Sequence, residues 1–256
     1  MTTPERTPDE EKNMAYYVYG VIPGEVESTP EAQGLGDRPV TVVHHGEIAA
    51  LVSEIDTDVA IGTPQQLRAH DKLLNATVTE VPVLPLRFGA VMTTPEAVAE
   101  ELLAPHHDEF LRALNELDGR AEYIIKGRYV ERAVLTELLA ENDEAARLRA
   151  EIRDTTEDAT RELRMRLGEI IEQGIAAKRQ ADTDGLVEAL TPYADATAVR
   201  EPTHELDAVH VAFLVETSQE SQFKQAFDEL AREWEERIDL GLRGPLPAYD
   251  FVVTPN

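Results

Sequence analysis

The chain has no cysteine, which excludes a disulfide framework, thiol catalysis and metal sites with cysteine ligands. Long apolar runs are also missing, and no stretch approaches the length that a membrane-spanning helix needs. The first thirteen residues are polar and acidic, unlike a signal peptide. The sequence therefore predicts a cytoplasmic protein with a disordered leader at 1–13 and no membrane partner.

Basic residues are few, and only five of them are lysine. Asp and Glu number 50 against 24 for Lys and Arg, which gives a formal net charge of −26. Such a surface repels nucleic acid and anionic lipid, so neither is expected as a partner. The acids are spread along the whole chain, which favours a solubility device of a salt-adapted organism over an acidic binding surface.

The most constrained apolar stretch is VPVLPLRFGAVM at 81–92. Pro82 and Pro85 lack an N–H group, so a strand containing them belongs at the start or edge of a sheet. Arg87 interrupts the apolar run and needs a polar partner or water, while Gly89 indicates a bulge or a close backbone approach. The simpler interpretation is a structural strand with one paired Arg, and the alternative is a direct binding role.

Further elements follow from periodicity and turn residues. Strands are predicted at 14–22, 40–45, 47–55, 121–130, 196–203 and 209–217, and a last strand follows a Pro-rich turn within 244–253. Helices are predicted to begin at Thr63-Pro64 and Thr94-Pro95, with an interruption at Pro105, and to occupy 221–237. The element order resembles two split βαβ units.

The sequence therefore predicts an α+β fold of two domains. A modified ferredoxin-like sheet with helices is expected at 14–128, and a C-terminal α/β domain with a long helix or coiled-coil hairpin at 129–256. The helical stretch, about 131–180, would reach roughly 70 Å as one helix, so a break near 141–143 or a projecting hairpin is expected. Spacings near a coiled-coil seam are found at Leu148, Ile152, Ala159, Leu163, Leu167 and Ile170.

Catalytic and metal-binding motifs are not recognisable in the chain. The seven His lack the spacing of a helical zinc site, the four Ser lie in no nucleophile elbow, and no phosphate-binding fingerprint is complete. The sequence thus predicts no enzyme, catalytic residue, metal or cofactor. The alternative is a small-molecule-binding or catalytic ferredoxin-like domain, which predicts a concave site with convergent polar groups.

Five motifs in the same order together resemble the gas vesicle protein F/L family. They are YYVYGVI at 16–22, VLPLRFGAVM at 83–92, GRAEYIIKGRY at 119–129, VHVAFLVE at 209–216 and GPLPAYDFV at 244–252. Leu246 and Ala248 stand where the family's usual ending has Trp and a second Pro, a departure that would mark a subgroup. The extreme acidity is similar to that of a haloarchaeal member.

The resemblance implies a non-enzymatic role as an accessory or minor structural protein in building the gas vesicle, a hollow protein shell that provides buoyancy. It implies that the small hydrophobic shell protein and other accessory proteins are partners, and it leaves self-association open. The implied location is the cytoplasm and the gas vesicle. The implied fold, a ferredoxin-like N-terminal domain and an α/β C-terminal domain carrying a coiled coil, agrees with the pattern above.

The surface that binds the shell protein is predicted on the N-terminal sheet. A Pro-bearing edge strand beside aromatic side chains that can be exposed is suited to adding a strand from a partner. The residues assigned to this surface are Tyr16, Tyr17, Tyr19, Arg87, Phe88 and Gly89.

Overall fold

The computed structural model describes residues 14–27, 32–58, 60–153 and 160–252, so the leader predicted at 1–13 lies outside the described residues. Contacts divide the chain into two units. The first contains the residues up to Glu122 together with those from Pro245 onward, and the second is Tyr123–Gly244. The domain limits drawn from the sequence stay a prediction, and these units differ from them in placing the C-terminal segment with the first unit.

The first unit is organised around strand β1 (Met14–Pro23), a β-branched and aromatic run. β1 pairs antiparallel with β3 (Ile48–Asp56), and β3 pairs with β2 (Thr41–His45). The turn between β2 and β3 contains Gly46 at a φ of 59°, a left-handed conformation that glycine adopts without strain. The predicted hairpin at this position is confirmed. One face of this sheet contributes to a hydrophobic core that includes Tyr17, Tyr19, Ile22, Leu51, Leu74 and Val83.

Helix α1 (Pro64–Thr77) begins where the sequence predicts. The Thr63 hydroxyl accepts a hydrogen bond from the backbone N–H of Gln66, and the Gln66 side chain accepts one from Thr63 in return. This reciprocal cap satisfies two N–H groups that helix geometry would leave unpaired. α1 then turns His70, Leu73 and Leu74 into the core.

Two short strands replace the continuous strand expected at 81–92, and that expectation is wrong. β4 (Leu84–Pro85) and β5 (Val91–Met92) each pair antiparallel with β1. Between them the chain turns, with Gly89 at a φ of 102° and the Ala90 N–H bonded to the Arg87 carbonyl at 3.3 Å. The turn carries Arg87 into solvent, so the apolar run does not bury its charge.

After β5 the chain forms a broken helix. α2 (Pro95–Ala97) continues as a π-helical segment (Val98–Leu103), and α3 (His107–Leu117) follows. The interruption between the last two contains Pro105, whose missing N–H and ring prevent a regular helix. The break predicted at this proline is confirmed.

The second unit has the same strand order as the first. Its strands are β6 (Arg120–Tyr129), β7 (Ala196–Val199), β8 (Asp207–Glu216) and β9 (Ile238–Leu246), and helix α7 (Glu220–Trp234) joins the last two. The sheet order is β7-β8-β6-β9, and in the first unit it is β2-β3-β1-β4. In both units the chain's strands stand in the order second, third, first, fourth, the order of a ferredoxin-like sheet. The predicted α+β fold class is confirmed.

One strand of the second unit lies elsewhere than the sequence predicts. The sequence predicts the last strand after the Pro-rich turn within 244–253, but β9 begins before that segment, at Ile238, and ends inside it at Leu246. The described residues beyond it form turns instead. Pro247 cannot donate a ladder hydrogen bond, whereas residues 238–243 contain no proline.

Three helices occupy the stretch predicted as helical. α4 (Glu131–Glu141) and α5 (Asp143–Arg153) are separated by Asn142, and α6 (Arg161–Leu190) continues past the predicted end near 180. The break near 141–143 is confirmed, because the Asn142 side chain caps α5 by accepting the Ala145 N–H at 2.9 Å.

The three helices form a hairpin. Glu144 of α5 lies 3.1 Å from Arg166 of α6, and Glu137 of α4 lies 3.1 Å from Lys178 further along α6. α6 therefore runs back along α5 and α4. Of the residues expected in a coiled-coil seam, Ala159 lies outside the described residues, and the others are half-buried. Coiled-coil packing stays a prediction.

An ion-pair network ties this hairpin to the second sheet. Arg237 donates two hydrogen bonds of 2.8 Å to the carboxylate of Asp182, and a third of 3.0 Å to Glu137. Asp182 also accepts from the Tyr129 hydroxyl at 2.5 Å. The Asp182 carboxylate raises the pKa of Arg237, so the guanidinium stays charged. A bidentate pair of this kind fixes both position and orientation.

Candidate functional site

The turn between β4 and β5 is held on β1 by main-chain hydrogen bonds. The Leu86 N–H donates to the Tyr19 carbonyl at 3.0 Å, and the Val18 N–H donates to the Ala90 carbonyl at 2.9 Å. The turn residues Arg87 and Gly89 are both exposed. Because its two ends are fixed, the turn presents these residues in one defined conformation.

A buried hydrogen-bond chain lies below the turn. The Gly89 N–H donates to the Tyr17 hydroxyl at 3.1 Å, and that hydroxyl lies 2.9 Å from Nδ1 of His70. Nε2 of His70 lies 3.0 Å from the hydroxyl of Tyr249, in the C-terminal segment of the same unit. His70 is only 1 % exposed, so its two ring nitrogens depend on these tyrosines for partners.

The surroundings keep His70 neutral. Burial lowers the pKa of His70 below its ordinary value, against the opposing effect of the nearby Asp71 carboxylate. Burial raises the pKa of Tyr17 and of Tyr249, so both phenols keep their protons. A neutral imidazole donates through one ring nitrogen and accepts through the other, and each nitrogen of His70 has a phenol partner.

A second buried tyrosine, Tyr19, lies beside Tyr17 on the same side of β1, with the two ring centroids 4.8 Å apart. The Tyr19 hydroxyl lies 2.7 Å from the Ser53 hydroxyl and accepts the Leu35 N–H at 2.7 Å. Leu35 begins a short 3₁₀ turn (Leu35–Asp37) in the connection between β1 and β2. Tyr19 therefore anchors the loop that stands where a ferredoxin-like fold has its first helix.

Exposed apolar side chains surround the top of the hydrogen-bond chain. Val91 is 39 % exposed and is paired with Tyr17 across two strands, so both side chains lie on the same face of the sheet. Leu67, 45 % exposed, precedes His70 by one helical turn, and Tyr249, 39 % exposed, bonds to His70 directly. We call this the turn surface and define it as Leu67, Arg87, Phe88, Val91 and Tyr249.

The structure separates the predicted site residues into three groups. Tyr17 and Tyr19 are fully buried, so the expectation that these aromatics are exposed is wrong. Tyr16 alternates to the opposite face, where its hydroxyl donates to Glu54 at 3.3 Å. Arg87, Phe88 and Gly89 come together with Tyr17 at the turn, and the Phe88 ring lies 5.8 Å from the ring of Tyr17.

Sequence reasoning missed His70, Leu67 and Tyr249 as members of one site. His70 and Leu67 lie in the helix predicted to begin at Thr63-Pro64, and Tyr249 lies in the C-terminal motif GPLPAYDFV at 244–252. Neither position carries a local signal that links it to the turn, because Tyr249 lies 179 residues beyond His70.

A cavity of about 290 Å³ lies between α1 and the first sheet. Ile22, Leu51 and Leu73 give it aliphatic walls, and Lys72 and Glu80 add charged groups. A cavity with apolar walls and a few charged groups is of the kind that a small-molecule-binding function would use.

Two further observations concern only the part of the chain that the structure describes. No helix there is long and apolar enough to cross a membrane. Within the same residues, no group of three or more His, Cys, Asp or Glu side chains is arranged to hold a metal ion.

Relatives of known name match nearly the whole chain. Gas vesicle protein F of Streptomyces sp. (strain CB03234) is 34 % identical over 244 residues, which cover 93 % of this chain and 100 % of that protein. Gas vesicle protein F of Dolichospermum flosaquae is 26 % identical over 94 % of this chain and 98 % of its own length. These bacterial relatives do not support the haloarchaeal subtype that the acidity suggested.

Solved structures share the fold. The crystal structure of GvpF from Anabaena sp. PCC7120 superposes with a TM-score of 0.78 at 23 % identity, covering 94 % of this chain and 99 % of that one. GvpF from Microcystis aeruginosa gives a TM-score of 0.75 at 22 % identity, with 93 % and 98 % covered. The family model described as gas vesicle synthesis protein GvpL/GvpF matches residues 15–253. With that match over nearly all of its length, the chain belongs to the GvpL/GvpF family of gas vesicle proteins.

Proposed function

We propose that the protein is an accessory or minor structural protein of gas vesicle assembly, and that it binds the hydrophobic shell protein through the turn surface. Family membership supports a gas vesicle-associated role. The binding site is proposed because three exposed side chains, Leu67, Val91 and Tyr249, belong to elements that the Tyr17–His70 hydrogen bonds hold together under the turn that carries Arg87. Clustered exposed apolar side chains often mark protein interaction sites, and Tyr and Arg are enriched among the residues that dominate binding energy.

The turn surface is suited to binding because it is already ordered. Tyr17 and His70 fix the turn and Tyr249 from below through buried hydrogen bonds. A partner therefore spends little free energy on immobilising these side chains, and more of the contact energy appears as affinity. The role needs no catalytic group, in line with the proposal that the protein is not an enzyme.

Main-chain groups offer a second mode of contact at the same place. β4 and β5 each span two residues and pair with β1, so they form a short, incomplete edge of the sheet. An extended segment of the shell protein can add a strand at such an edge while its side chains contact Val91 and Phe88. This is the strand addition that the sequence predicts, moved from the buried tyrosines to the turn.

Matched aspartate variants test the proposal. Val91→Asp places a charge in the turn surface, and Val199→Asp places the same charge at a valine that is 63 % exposed in the second unit. Each variant serves as bait in molar salt, in cells that express the complete gas vesicle set. We expect Val91→Asp and Arg87→Glu to lose most of the shell protein and Val199→Asp to retain it.

Equal recovery of shell protein by all three folded variants would contradict the turn surface as its binding site. No recovery by the folded wild-type bait would contradict direct contact itself, and would favour a small-molecule function at the cavity beside α1.

A salt-adapted origin and a cytoplasmic location remain part of the proposal. The net charge of −26 supports the first, because such repulsion within one chain is weakened by high ionic strength. A thermal unfolding midpoint that rises as the salt concentration approaches the molar range would support the salt-adapted origin. A midpoint that does not change with salt would contradict it.

A further inference from the structure

Strand β9 lies at an edge of the second sheet, at the end of the order β7-β8-β6-β9. It is nine residues long, whereas β7 at the opposite edge has four. The outer side of an edge strand presents alternate N–H and C=O groups without ladder partners, which makes it a template for another strand. The length of β9 makes it the stronger template of the two.

The exposed face of β9 carries two opposite charges placed symmetrically about Gly241. Asp239 precedes Gly241 by two positions and Arg243 follows it by two, so all three share one face. Both charged side chains are exposed, and neither makes a hydrogen bond or ion pair with another described residue. The strand therefore carries a charge pattern that is complementary to its own reverse.

We propose that two copies of the chain pair through β9 in an antiparallel register centred on Gly241, giving a two-fold symmetric dimer. In this register Asp239 of each copy stands directly opposite Arg243 of the other. Leu240 of each copy likewise stands opposite Leu242 of the other. Such a contact is isologous, because the same surface serves both subunits, and opposite charges across a strand pair stabilise it.

The apolar side of β9 fits the same register. A groove of about 470 Å³ runs between α7 and β9, with Ala231, Glu235 and Leu240 in its lining. Leu240 and Leu242 are half-buried and alternate to the face opposite the charges. Because Leu242 of the second copy comes opposite Leu240, it covers the end of this groove and removes apolar surface from water.

The other edges do not specify a register in this way. β2 (Thr41–His45) and β7 (Ala196–Val199) contain no Asp, Glu, Lys or Arg. A second copy added to either strand would meet no fixed charge to align it. Charge complementarity therefore assigns the contact to β9.

Charge-reversal variants test the register, and sedimentation velocity measures their dimerisation. The experiment is run at about 1 M salt, where the Debye length is about 3 Å, so long-range repulsion between the acidic chains is screened. We expect the wild type to form a concentration-dependent dimer. D239R and R243D should each raise its dissociation constant at least about fivefold, because two opposite-charge contacts become like-charge contacts. The double variant D239R/R243D restores both contacts and should return to within about threefold of the wild type.

The single variants also separate local pairing from overall charge. D239R lowers the net negative charge and R243D raises it, so an effect of overall repulsion alone would strengthen the D239R dimer. A stronger D239R dimer, a double variant as weak as the singles, or a monomeric wild type at high concentration would each overturn the proposal.

A cysteine crosslink gives a second, independent readout. The chain has no cysteine, so Gly241→Cys creates the single thiol of the protein. The atom nearest to the new Cβ is the Lys126 carbonyl oxygen at 3.7 Å, an ordinary van der Waals contact. A residue on the two-fold axis of an antiparallel pair lies within disulfide distance of its own copy. Gly168→Cys, exposed on α6, is the control. Mild oxidation should crosslink the Gly241→Cys protein alone, and equal crosslinking of both variants would contradict the dimer.

Discussion

Nε2 of His70 lies 3.0 Å from the hydroxyl oxygen of Tyr249, although 179 positions separate the two residues along the chain. The contact ties α1 to the C-terminal segment within the first unit. Because Nδ1 of the same ring bonds to Tyr17, the imidazole holds β1 as well. One neutral histidine thus joins three distant segments directly below the turn surface.

Removing the Tyr249 hydroxyl tests that junction. Tyr249→Phe leaves Nε2 of His70 without its hydrogen-bond partner, which should lower the free energy of unfolding by about 1–2 kcal/mol. Urea denaturation in molar salt measures the change. Tyr193→Phe, at a half-buried tyrosine of the second unit, is the matched control and should change stability by less than about 0.5 kcal/mol. Equal losses for both variants would contradict the assigned role of Tyr249.

Stability should depend on pH through His70. Its pKa is lowered in the folded protein, while in the unfolded chain it is about 6.5. The unfolded state therefore binds the proton more readily, so this contribution to stability is complete above roughly pH 6.5 and is lost as the pH falls. The other titratable side chains that contact the ring are Tyr17, Tyr19 and Tyr249, and burial raises the pKa of each of these phenols.

The free energy of unfolding, followed from roughly pH 8 to pH 5, measures this slope. His70→Phe should flatten it, whatever the absolute stability of the variant. His44→Phe, at an exposed histidine, should leave the slope unchanged. An unaltered slope in the His70→Phe protein would show that other groups produce it.

Gly89 and Gly168 should respond to alanine in opposite directions. Gly89 has a φ of 102°, so a Cβ strains the turn, and Gly89→Ala should destabilise by about 1–2 kcal/mol. Gly168 lies within α6 with open space around its Cβ position, so Gly168→Ala should stabilise by up to about 1 kcal/mol. Thermal or urea unfolding checks both, and a change of the same sign in the two variants would contradict the backbone assignment.

Arg237 should contribute more to stability than an exposed arginine of the same unit. Arg237→Ala leaves the partly buried Asp182 without its bidentate partner, and should cost about 2 kcal/mol. Arg166 forms ion pairs with Glu144 and Glu169 on the surface, and Arg166→Ala should cause no measurable change in urea midpoint. Similar losses in the two variants would show that the Asp182 contact contributes little.

The starts, turns and breaks of elements were predicted correctly where residues close together in the sequence determine them. Thr63 with Pro64, Gly46, Pro105 and Asn142 each mark a start, turn or break, because capping, positive φ or a missing N–H acts within a few residues. These features are read directly from neighbouring residues.

Strands that depend on distant partners were less predictable. The stretch at 81–92 has the composition of a strand, yet Gly89 turns it and only Leu84–Pro85 and Val91–Met92 pair with β1. β9 contains two glycines and a proline, so its own propensity is weak, and pairing in the sheet decides its conformation.

The sequence identified only part of the candidate site, because the rest of it depends on contacts between residues that are distant in the chain. Arg87, Phe88 and Gly89 stand out as an unusual triplet in an apolar run, and they do form the turn. Tyr17 was assigned to a surface because strand composition does not reveal which face is covered. Its burial under His70 and the place of Tyr249 arise from contacts between residues far apart in the chain.

The measurement that tests the central claim most directly is photo-crosslinking at the turn surface during vesicle formation. A photoreactive amino acid replaces Val91 in one strain and Val199 in another, both exposed valines. After irradiation in cells that express the gas vesicle set, we predict a covalent adduct with the shell protein from position 91 and none from position 199. An adduct from position 199 alone, or none from a folded protein carrying the probe at 91, would contradict the turn surface as the binding site.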